Sequence, residues 1–321
     1  EQDLQDLDDI LRRSNAQFMV VSGRRRVGKT TLLLEWARRN GQPFFYWVAS
    51  RSSAAVLLQS ISQSLWRFAH PDDVMPASFT YDSWSEVFRQ MATLAADRRL
   101  IVILDELPYA LEAEPSLTSL LQNAWDHHLK PTRICLLLAG SHISLMNRLQ
   151  VYRAPLYGRF TAQLRVDPLP FYALRSFLPN YDAEKRVAVY SILGGIPAYL
   201  EQFSDQLSLR ENLEQTVLKR TGLFRTEPFV LIGDLVREPR NYAAIIRAIA
   251  SERHTPDEMA ASGAIPPSNI HKYLARLVEL QLVERRVPAT VPPKQRTTHS
   301  RYYLRDPFLR NWSASFLEVV E

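Results

Sequence analysis

The chain has 321 residues, with 39 lysine and arginine residues against 34 aspartate and glutamate residues, so its net charge is +5. This length exceeds that of an ordinary single domain and indicates two or three domains. Hydrophobic residues at 46% and charged residues at 23% exclude a disordered chain, and ten glycines exclude a collagen-like repeat.

Apolar runs and cysteine content narrow the class of protein further. Apolar runs such as residues 100–104 and 134–139 are far shorter than the roughly 18 residues that a membrane-spanning helix needs. The first ten residues contain five acids and none of the apolar core of a signal peptide. The single cysteine, Cys135, excludes disulfides within the chain and cysteine clusters for zinc. These features fit a protein of the reducing cytoplasm best.

The first half of the chain alternates short apolar runs with helical stretches. Strands are predicted at residues 18–22, 44–49, 100–104 and 134–139, and helices at 30–39, 54–68 and 84–96. Continuous apolar runs are typical of strands that are covered on both faces. Strands that alternate with helices predict a parallel sheet of α/β class, within a first domain over residues 1–165.

The second half of the chain contains two segments with different predicted secondary structure. A small helical domain is predicted over residues 166–235, with helices at 171–177, 183–192, 196–203 and 209–219. Beyond it, helices are predicted at 242–251, 256–262 and 268–280, and β segments at 282–287 and 301–304. Three helices followed by a hairpin predict a winged helix-turn-helix domain over residues 236–306. Residues 307–321 are expected to begin a further C-terminal region.

The strongest motif is a phosphate-binding loop at residues 23–30, GRRRVGKT, which matches G-x-x-x-x-G-K-[ST] between a predicted strand and a predicted helix. Its glycines let backbone N–H groups converge on phosphates, and the helix that follows directs its positive dipole end at them. Lys29 is expected to reach the β- and γ-phosphates, and the Thr30 hydroxyl to ligate Mg²⁺. The predicted nucleotide-binding residues of the loop are Gly23, Arg24, Arg25, Arg26, Val27, Gly28, Lys29, Thr30 and Thr31. Its three arginines either contact nucleotide or DNA or are solvated loop charges.

Two carboxylates, Asp105 and Glu106, follow the apolar segment 100–104. Asp105 is predicted to join Thr30 in the shell of a Mg²⁺ ion, and Glu106 to polarise the water that attacks the γ-phosphate. An apolar strand that ends in acids is a weak signal by itself. It becomes a strong one about 75 residues after a phosphate loop, with strand and helix pairs between.

Ser141 and Arg159 are further candidates. Ser141 follows the apolar segment 134–139 and is interpreted either as a sensor between the water and the γ-phosphate or as the N-cap of a helix over residues 143–149. His142 is a weaker candidate for the catalytic base. Arg159 is the best candidate for an arginine finger, acting on its own site or on that of a neighbouring subunit. Two other arginines compete for that role, Arg148 and Arg153.

In combination, these motifs resemble the archaeal-type ATPases of the STAND class, which are relatives of the AAA+ proteins. The matching segments are GRRRVGKT at 23–30, LDELP at 104–108, GSHISLM at 140–146, PLYGR at 155–159, GGIPAYL at 194–200 and YYLRDPFLRNW at 302–312. The resemblance implies an α/β P-loop NTPase core with a small helical lid and a C-terminal winged helix, binding ATP or ADP with Mg²⁺. It also implies that Pro197 lies near the adenine base and links the nucleotide state to the arrangement of the domains.

The sequence departs from that family pattern at both ends. Members open with a Gly-Arg-Glu-like box before the first helix, which this sequence lacks, so we expect a trimmed amino terminus. Members often continue into a nuclease-like domain, and Asn311 replaces the usual aromatic residue just before this sequence ends. The resemblance therefore gives no basis for predicting nuclease activity in this chain.

Basic residues concentrate in the predicted hairpin, since residues 285–310 contain seven basic residues and one acid. Contact with DNA phosphates is predicted for Lys272, Arg276, Arg285, Arg286 and Arg296. Mixed charges on the helix favour recognition of shape and backbone over base readout. The alternative, which the family resemblance also implies, is a clamp within the chain or a protein interface.

The sequence thus predicts a slow, Mg²⁺-dependent ATP hydrolase that acts as a nucleotide-driven switch coupled to a winged helix. The alternative is a DNA-binding regulator or initiator-like protein whose nucleotide is bound and never hydrolysed. A third hypothesis is a scaffold that forms a homo-oligomer when it binds ATP.

Overall fold

The computed structural model describes residues 1–219, 221–233, 239–288, 290 and 300–315. The chain divides into two compact units, Glu1–Asp167 and Pro168–Glu321. The first boundary lies two residues beyond the predicted end of the core domain at 165. Residue 235, where the helical and winged-helix domains were predicted to meet, lies outside the described residues.

The first unit is built on a parallel sheet. Its described strands are β1 (Gln17–Gly23), β2 (Phe44–Val48), β3 (Leu100–Asp105), β4 (Ile134–Gly140) and β5 (Ala162–Val166). They are ordered β2-β3-β4-β1-β5, and each neighbouring pair is parallel. The predicted α/β class is confirmed. Strand β5 was not predicted, because Gln163 and Arg165 point to solvent on this edge strand and interrupt the apolar run.

Helices cover both faces of the sheet. In the described first unit they are α1 (Gln2–Leu11), α2 (Lys29–Arg39), α3 (Ala54–Ala69), α4 (Trp84–Leu94), α5 (Leu107–Ala113), α6 (Leu117–Ala124) and α7 (Ile143–Arg148). A π-helical turn, Trp125–Leu129, continues α6. The side chains of Ser53 and Ser83 accept hydrogen bonds from backbone N–H groups and begin α3 and α4.

The main hydrophobic core lies between one face of the sheet and α3, α4 and α6, and includes the buried Phe18, Trp47, Phe88 and Trp125. Helix α2 contacts β1, β3 and α1. Because α2 begins directly after the phosphate loop, its packing fixes the direction in which that loop faces.

The second unit is mostly helical. Its described helices are α8 (Leu174–Phe177), α9 (Ala183–Leu193), α10 (Pro197–Leu200), α11 (Leu209–Asn212), α12 (Leu223–Gly233), α13 (Pro239–Ala250), α14 (Pro256–Ser262), α15 (Pro267–Glu279) and α16 (Pro307–Ser315). Phe171–Ala173 form a 3₁₀ turn before α8, and Leu213–Val217 a π-helical turn after α11. The helix predicted over 196–203 is only the short α10, and α12 was not predicted.

An aromatic cluster joins segments that were predicted to belong to different domains. Tyr199 of α10, Phe224 of α12 and Phe308 of α16 lie with ring centroids 5.1 to 5.4 Å apart. Helix α16 also contacts α9 and α13. The predicted boundary at 306 therefore falls inside one packed unit, because the start of the supposed C-terminal region supplies part of its core.

Helices α13, α14 and α15 precede two antiparallel strands, β6 (Val283–Arg286) and β7 (Arg301–Leu304). Val283 pairs with Leu304, and Arg286 with Arg301. The order of these elements agrees with the predicted one and their bounds agree to within three residues, while their assignment as a winged helix stays a prediction. Among the described helices, none has the length and apolar character that crossing a membrane requires.

Candidate nucleotide-binding site

The loop over residues 23–30 joins the carboxyl end of β1 to α2. A Cβ atom on Gly23 would lie 2.5 Å from the carbonyl oxygen of Val166, so only glycine allows β1 and β5 to approach this closely. Gly28, at the N-cap of α2, has a φ of 93°, and Arg26 a φ of 66°. Glycine is favoured at Gly28 because other residues rarely adopt such a backbone conformation.

Lys29 is buried, with 5% of its surface exposed. Its Nζ donates to the carbonyl oxygens of Gly23 at 3.0 Å and Arg24 at 3.2 Å. Burial lowers the pKa of Lys29, and the nearby charges of Glu106 and Asp105 oppose that change. The ammonium group thus holds the start of the phosphate loop close to the start of α2.

The other predicted loop residues differ in exposure. Val27 is buried, Arg24 and Arg26 are half-buried, and Arg25 and Thr31 are exposed.

Asp105, at the end of β3, is 1% exposed. Its Oδ2 accepts a hydrogen bond from the Thr30 hydroxyl at 2.5 Å and one from the Tyr46 hydroxyl at 3.3 Å. The backbone N–H of Glu106 donates to Oδ1 at 2.9 Å. Burial, together with the charge of Asp105 and the hydrogen bond to it, raises the pKa of Tyr46 to about 12. The structure brings Thr30 and Asp105 together and adds Tyr46, while the role of Thr30 and Asp105 as magnesium ligands stays a prediction.

The donor atoms of Thr30 and Asp105 fit magnesium. Both are hard oxygen atoms, and Mg²⁺ in nucleotide sites is usually held by one or two carboxylates together with phosphates and water. The described residues contain no group of three or more His, Cys, Asp or Glu side chains able to hold a metal by themselves. These residues therefore suit a metal that arrives with phosphate.

Glu106 has a left-handed backbone conformation, with φ 47° and ψ 37°. Non-glycine residues in this region are strained and often lie at functional sites. Its Oε2 accepts hydrogen bonds from the Ser141 hydroxyl at 2.8 Å and the Ser141 N–H at 3.2 Å. Asp105, Glu106 and Ser141 thus converge on the same edge of the sheet.

Gly140 explains the proximity of Ser141 to Glu106. A Cβ atom at Gly140 would lie 2.6 Å from Cδ of Pro108, so the end of β4 passes very close to α5. The residue at the N-cap of α7 is His142, which removes the interpretation of Ser141 as that cap.

Arg159 lies elsewhere. Its Nε and Nη2 donate to the Asp126 carboxylate at 2.7 to 3.0 Å, and its Nη1 to the carbonyl oxygen of Pro155 at 2.9 Å. This pair lines a groove beside Asn15 and Ala16, which directly precede β1. The seven residues of β1 span roughly 20 Å. Arg159 therefore lies at the amino edge of the sheet and does not face its own phosphate loop. This position does not support a finger acting on the chain's own site.

Pro197 begins α10 in the second unit. A Cβ atom on the neighbouring Gly195 would lie only 1.8 Å from the carbonyl oxygen of Leu169, so the Gly-Ile-Pro element packs tightly against the segment before α8. Its predicted contact with adenine stays a prediction.

The predicted DNA contacts in the second unit have partners within the chain. Arg276 forms an ion pair with Glu279 at 2.7 Å, and Lys272 lies 5.7 Å from the Tyr273 ring centroid. Three further contacts involve the strands: Arg285 donates to the Ser300 hydroxyl, and Arg286 pairs with Glu284 and lies 4.3 Å from the Tyr303 ring centroid. Arg296 lies outside the described residues.

A parallel sheet with a phosphate loop after β1 and two acids at the carboxyl end of β3 defines a P-loop ATPase fold. The chain belongs to the family described as the ATPase domain predominantly from Archaea, which matches residues 1–203.

An uncharacterized protein of Methanocaldococcus jannaschii is 31% identical over 312 residues, which cover 96% of this chain and 66% of that protein. The chain thus spans just under two thirds of that relative.

Two solved structures share the fold over almost the whole chain. The Walker-type ATPase PABY2304 of Pyrococcus abyssi is 22% identical with a TM-score of 0.70, covering 98% of this chain and 95% of that one. The ORC2 protein of Aeropyrum pernix, in its ADPNP-ADP complexes, is 14% identical with a TM-score of 0.57, covering 98% and 90%.

Proposed function

We propose that this protein is a Mg²⁺-dependent ATPase that uses slow ATP hydrolysis as a conformational switch. The observation that carries the proposal is the 2.5 Å hydrogen bond between Thr30 and the buried Asp105, beside Lys29 and Glu106. A phosphate loop and a strand 75 residues apart in sequence meet at one point, and this arrangement serves phosphoryl transfer.

Each residue has a distinct role in the proposed reaction. Lys29, which now donates to two loop carbonyls, would donate to the β- and γ-phosphates. Thr30 and Asp105 would hold Mg²⁺, which neutralises charge on the phosphates when bound. Glu106 would orient the attacking water and accept its proton. Contacts of the γ-phosphate with Lys29 and Ser141, and of the base with Pro197, would bias the arrangement of the domains.

The test is steady-state ATP turnover by the wild type, Lys29→Ala and Glu106→Gln. We expect Lys29→Ala to lose nucleotide binding, and Glu106→Gln to keep binding while kcat falls by roughly a hundredfold or more, the usual range for a general base. Glu35→Gln, an exposed charge change on α2, is the control and should retain the wild-type rate. Equal rates in all four proteins would sink the assignment.

A second candidate function is DNA binding by the β6–β7 pair. Arg286 and Arg301 lie directly opposite each other and are exposed, as is Arg285. Adjacent exposed guanidinium groups suit contact with successive phosphates. In the form of this proposal that competes with hydrolysis, the protein is a DNA-binding regulator that holds its nucleotide without turnover.

Arg159 is proposed to act on a neighbouring subunit's nucleotide in an ATP-dependent homo-oligomer. The support is its position at the amino edge of the sheet, remote from its own loop. Mass measurement with ADP and with a non-hydrolysable ATP analogue tests this, because equal masses would contradict ATP-dependent assembly.

A further inference from the structure

Tyr46 lies on the edge strand β2, outside every sequence motif described above. Its neighbours Phe45 and Trp47 are buried in the main core, at 2% and 3% exposure. Because side chains alternate along a strand, Tyr46 lies on the opposite face of the sheet. There its hydroxyl reaches Oδ2 of Asp105 at 3.3 Å, the same oxygen that accepts from Thr30.

We propose that Tyr46 is a positioning residue for the metal-bound nucleotide, because its hydroxyl holds the Asp105 carboxylate in the orientation that serves Mg²⁺. This inference rests on the proposed ATPase function. It adds to the site a further side chain, one that would touch neither nucleotide nor metal.

The sheet register supports a role in orientation. Tyr46 pairs with Ile103 and Val48 with Asp105, so the Tyr46 backbone lies two residues before the end of β3. From that position, the phenol extends along the sheet to Asp105. A tyrosine ring has two side-chain torsions, and its strand backbone is fixed by the ladder, so its hydroxyl is a well-placed donor.

The other donors to Asp105 have further tasks. The Thr30 hydroxyl would itself ligate the metal, and the Glu106 N–H belongs to the residue that would orient water. Tyr46 is engaged with neither task. When the hydroxyl oxygen of Thr30 becomes a metal ligand, its proton can still be donated to Asp105, and Tyr46 would supply the second hydrogen bond that keeps Oδ2 in place.

The test is Tyr46→Phe, which keeps the ring and removes the hydroxyl. ADP affinity is measured first in EDTA and then over a range of Mg²⁺ concentrations. We expect metal-free ADP affinity to stay within about twofold of wild type. The Mg²⁺ concentration for half-maximal strengthening of binding should rise by roughly five- to tenfold, as for the loss of one hydrogen bond of ordinary strength.

Tyr181→Phe is the matched control. The Tyr181 hydroxyl donates to the carbonyl oxygen of Leu207 at 2.7 Å in the second unit, so this change removes a tyrosine hydrogen bond outside every predicted nucleotide-binding segment. Neither ADP affinity nor its Mg²⁺ dependence should change in that variant.

Three results would overturn the positioning role. The first two are an unchanged or a lower Mg²⁺ concentration for half-maximal strengthening of ADP binding by Tyr46→Phe. The third is an equal loss of ADP affinity with and without the metal, which would indicate general damage to the site. Failure of the proposed function looks different, since the wild type itself would then bind no ADP or show no effect of Mg²⁺.

Discussion

At the scale of single residues, the site depends on close approaches that leave little freedom. Gly140 brings β4 against Pro108, and the left-handed conformation of Glu106 turns its side chain to the edge where Ser141 lies. Ser141 then donates twice to the Glu106 carboxylate, through its hydroxyl and its N–H. We infer that Ser141 holds the proposed base in position, in addition to the predicted contact with the γ-phosphate.

This inference predicts the effect of Ser141→Ala. The change removes the 2.8 Å hydrogen bond and leaves only the longer one from the backbone. We expect kcat to fall by about tenfold while ADP affinity stays the same, because a lost hydrogen bond to a charged group costs roughly 1.5 kcal/mol. Ser141→Thr retains the hydroxyl and should recover most of the rate. Faster turnover in Ser141→Ala would show instead that Ser141 restrains the base.

At the scale of elements, hydrogen bonds and an ion pair join the N-terminal helix α1 to the end of α2, the helix that follows the phosphate loop. The Asp8 carboxylate accepts hydrogen bonds from Trp36 and Asn40 at 2.9 and 3.1 Å and pairs with Arg39 at 3.0 Å. Partial burial raises the pKa of Asp8, but the hydrogen bonds from Asn40 and Trp36 and the charge of Arg39 outweigh it, so this pKa lies below its ordinary value of 3.8.

Asp8→Asn should therefore destabilise the protein in a pH-dependent way. A carboxyl whose pKa is lowered by folding contributes stability above its unfolded pKa and loses it as pH falls through the folded pKa. We expect a loss of roughly 1–2 kcal/mol in the free energy of unfolding at pH 7, with the difference from wild type shrinking below about pH 4. Urea titrations of both proteins at pH 7 and below pH 4 measure this difference.

The control for this prediction is Asp9→Asn, on the same helix. Asp9 pairs with Arg12 in an exposed ion pair, which should contribute no more than a few tenths of a kcal/mol. Equal destabilisation by the two variants would contradict the role assigned to Asp8.

At the scale of the whole molecule, the residues proposed to bind nucleotide and those proposed to bind DNA lie on different compact units. The phosphate loop and its acids lie within Glu1–Asp167, and the exposed arginines of β6 and β7 within Pro168–Glu321. A switch requires that the nucleotide on the first unit alters what the second unit binds. Hydrolysis and DNA binding are therefore tested separately before any coupling is measured.

The prediction for DNA binding concerns the double variant Arg286→Ala/Arg301→Ala. If each arginine contacts one phosphate, duplex affinity should fall by about tenfold or more. The plot of log affinity against log salt concentration should also become less steep, with its negative slope reduced in magnitude by about two. The matched control is Arg175→Ala/Arg210→Ala, which removes two exposed arginines from α8 and α11 of the same unit. Equal effects of the two double variants would show only a response to net charge.

Local sequence patterns determined a large part of this protein. Strands β1 to β4 and the class of sheet were predictable, because each of these strands contains a continuous apolar run in the sequence. The half-exposed edge strand β5 contains no such run and was not predicted. The phosphate loop and Asp105 were predictable because phosphate chemistry requires those residue types in a fixed order. Helices α13 to α15 and the β6–β7 pair followed from periodicity and turn residues.

Only the tertiary structure decided which distant residues meet. Tyr46 reads as one more apolar strand residue, and only the β2–β3 register brings its hydroxyl to Asp105. The sequence predicts Arg159 as a catalytic arginine, yet its ion pair with Asp126 holds it at the amino ends of the strands, away from the phosphate loop at their carboxyl ends. Tyr199 and Phe308 join segments predicted to be separate domains. In each case the deciding contact spans tens of residues, and sequence periodicity reports only on a residue's nearest neighbours along the chain.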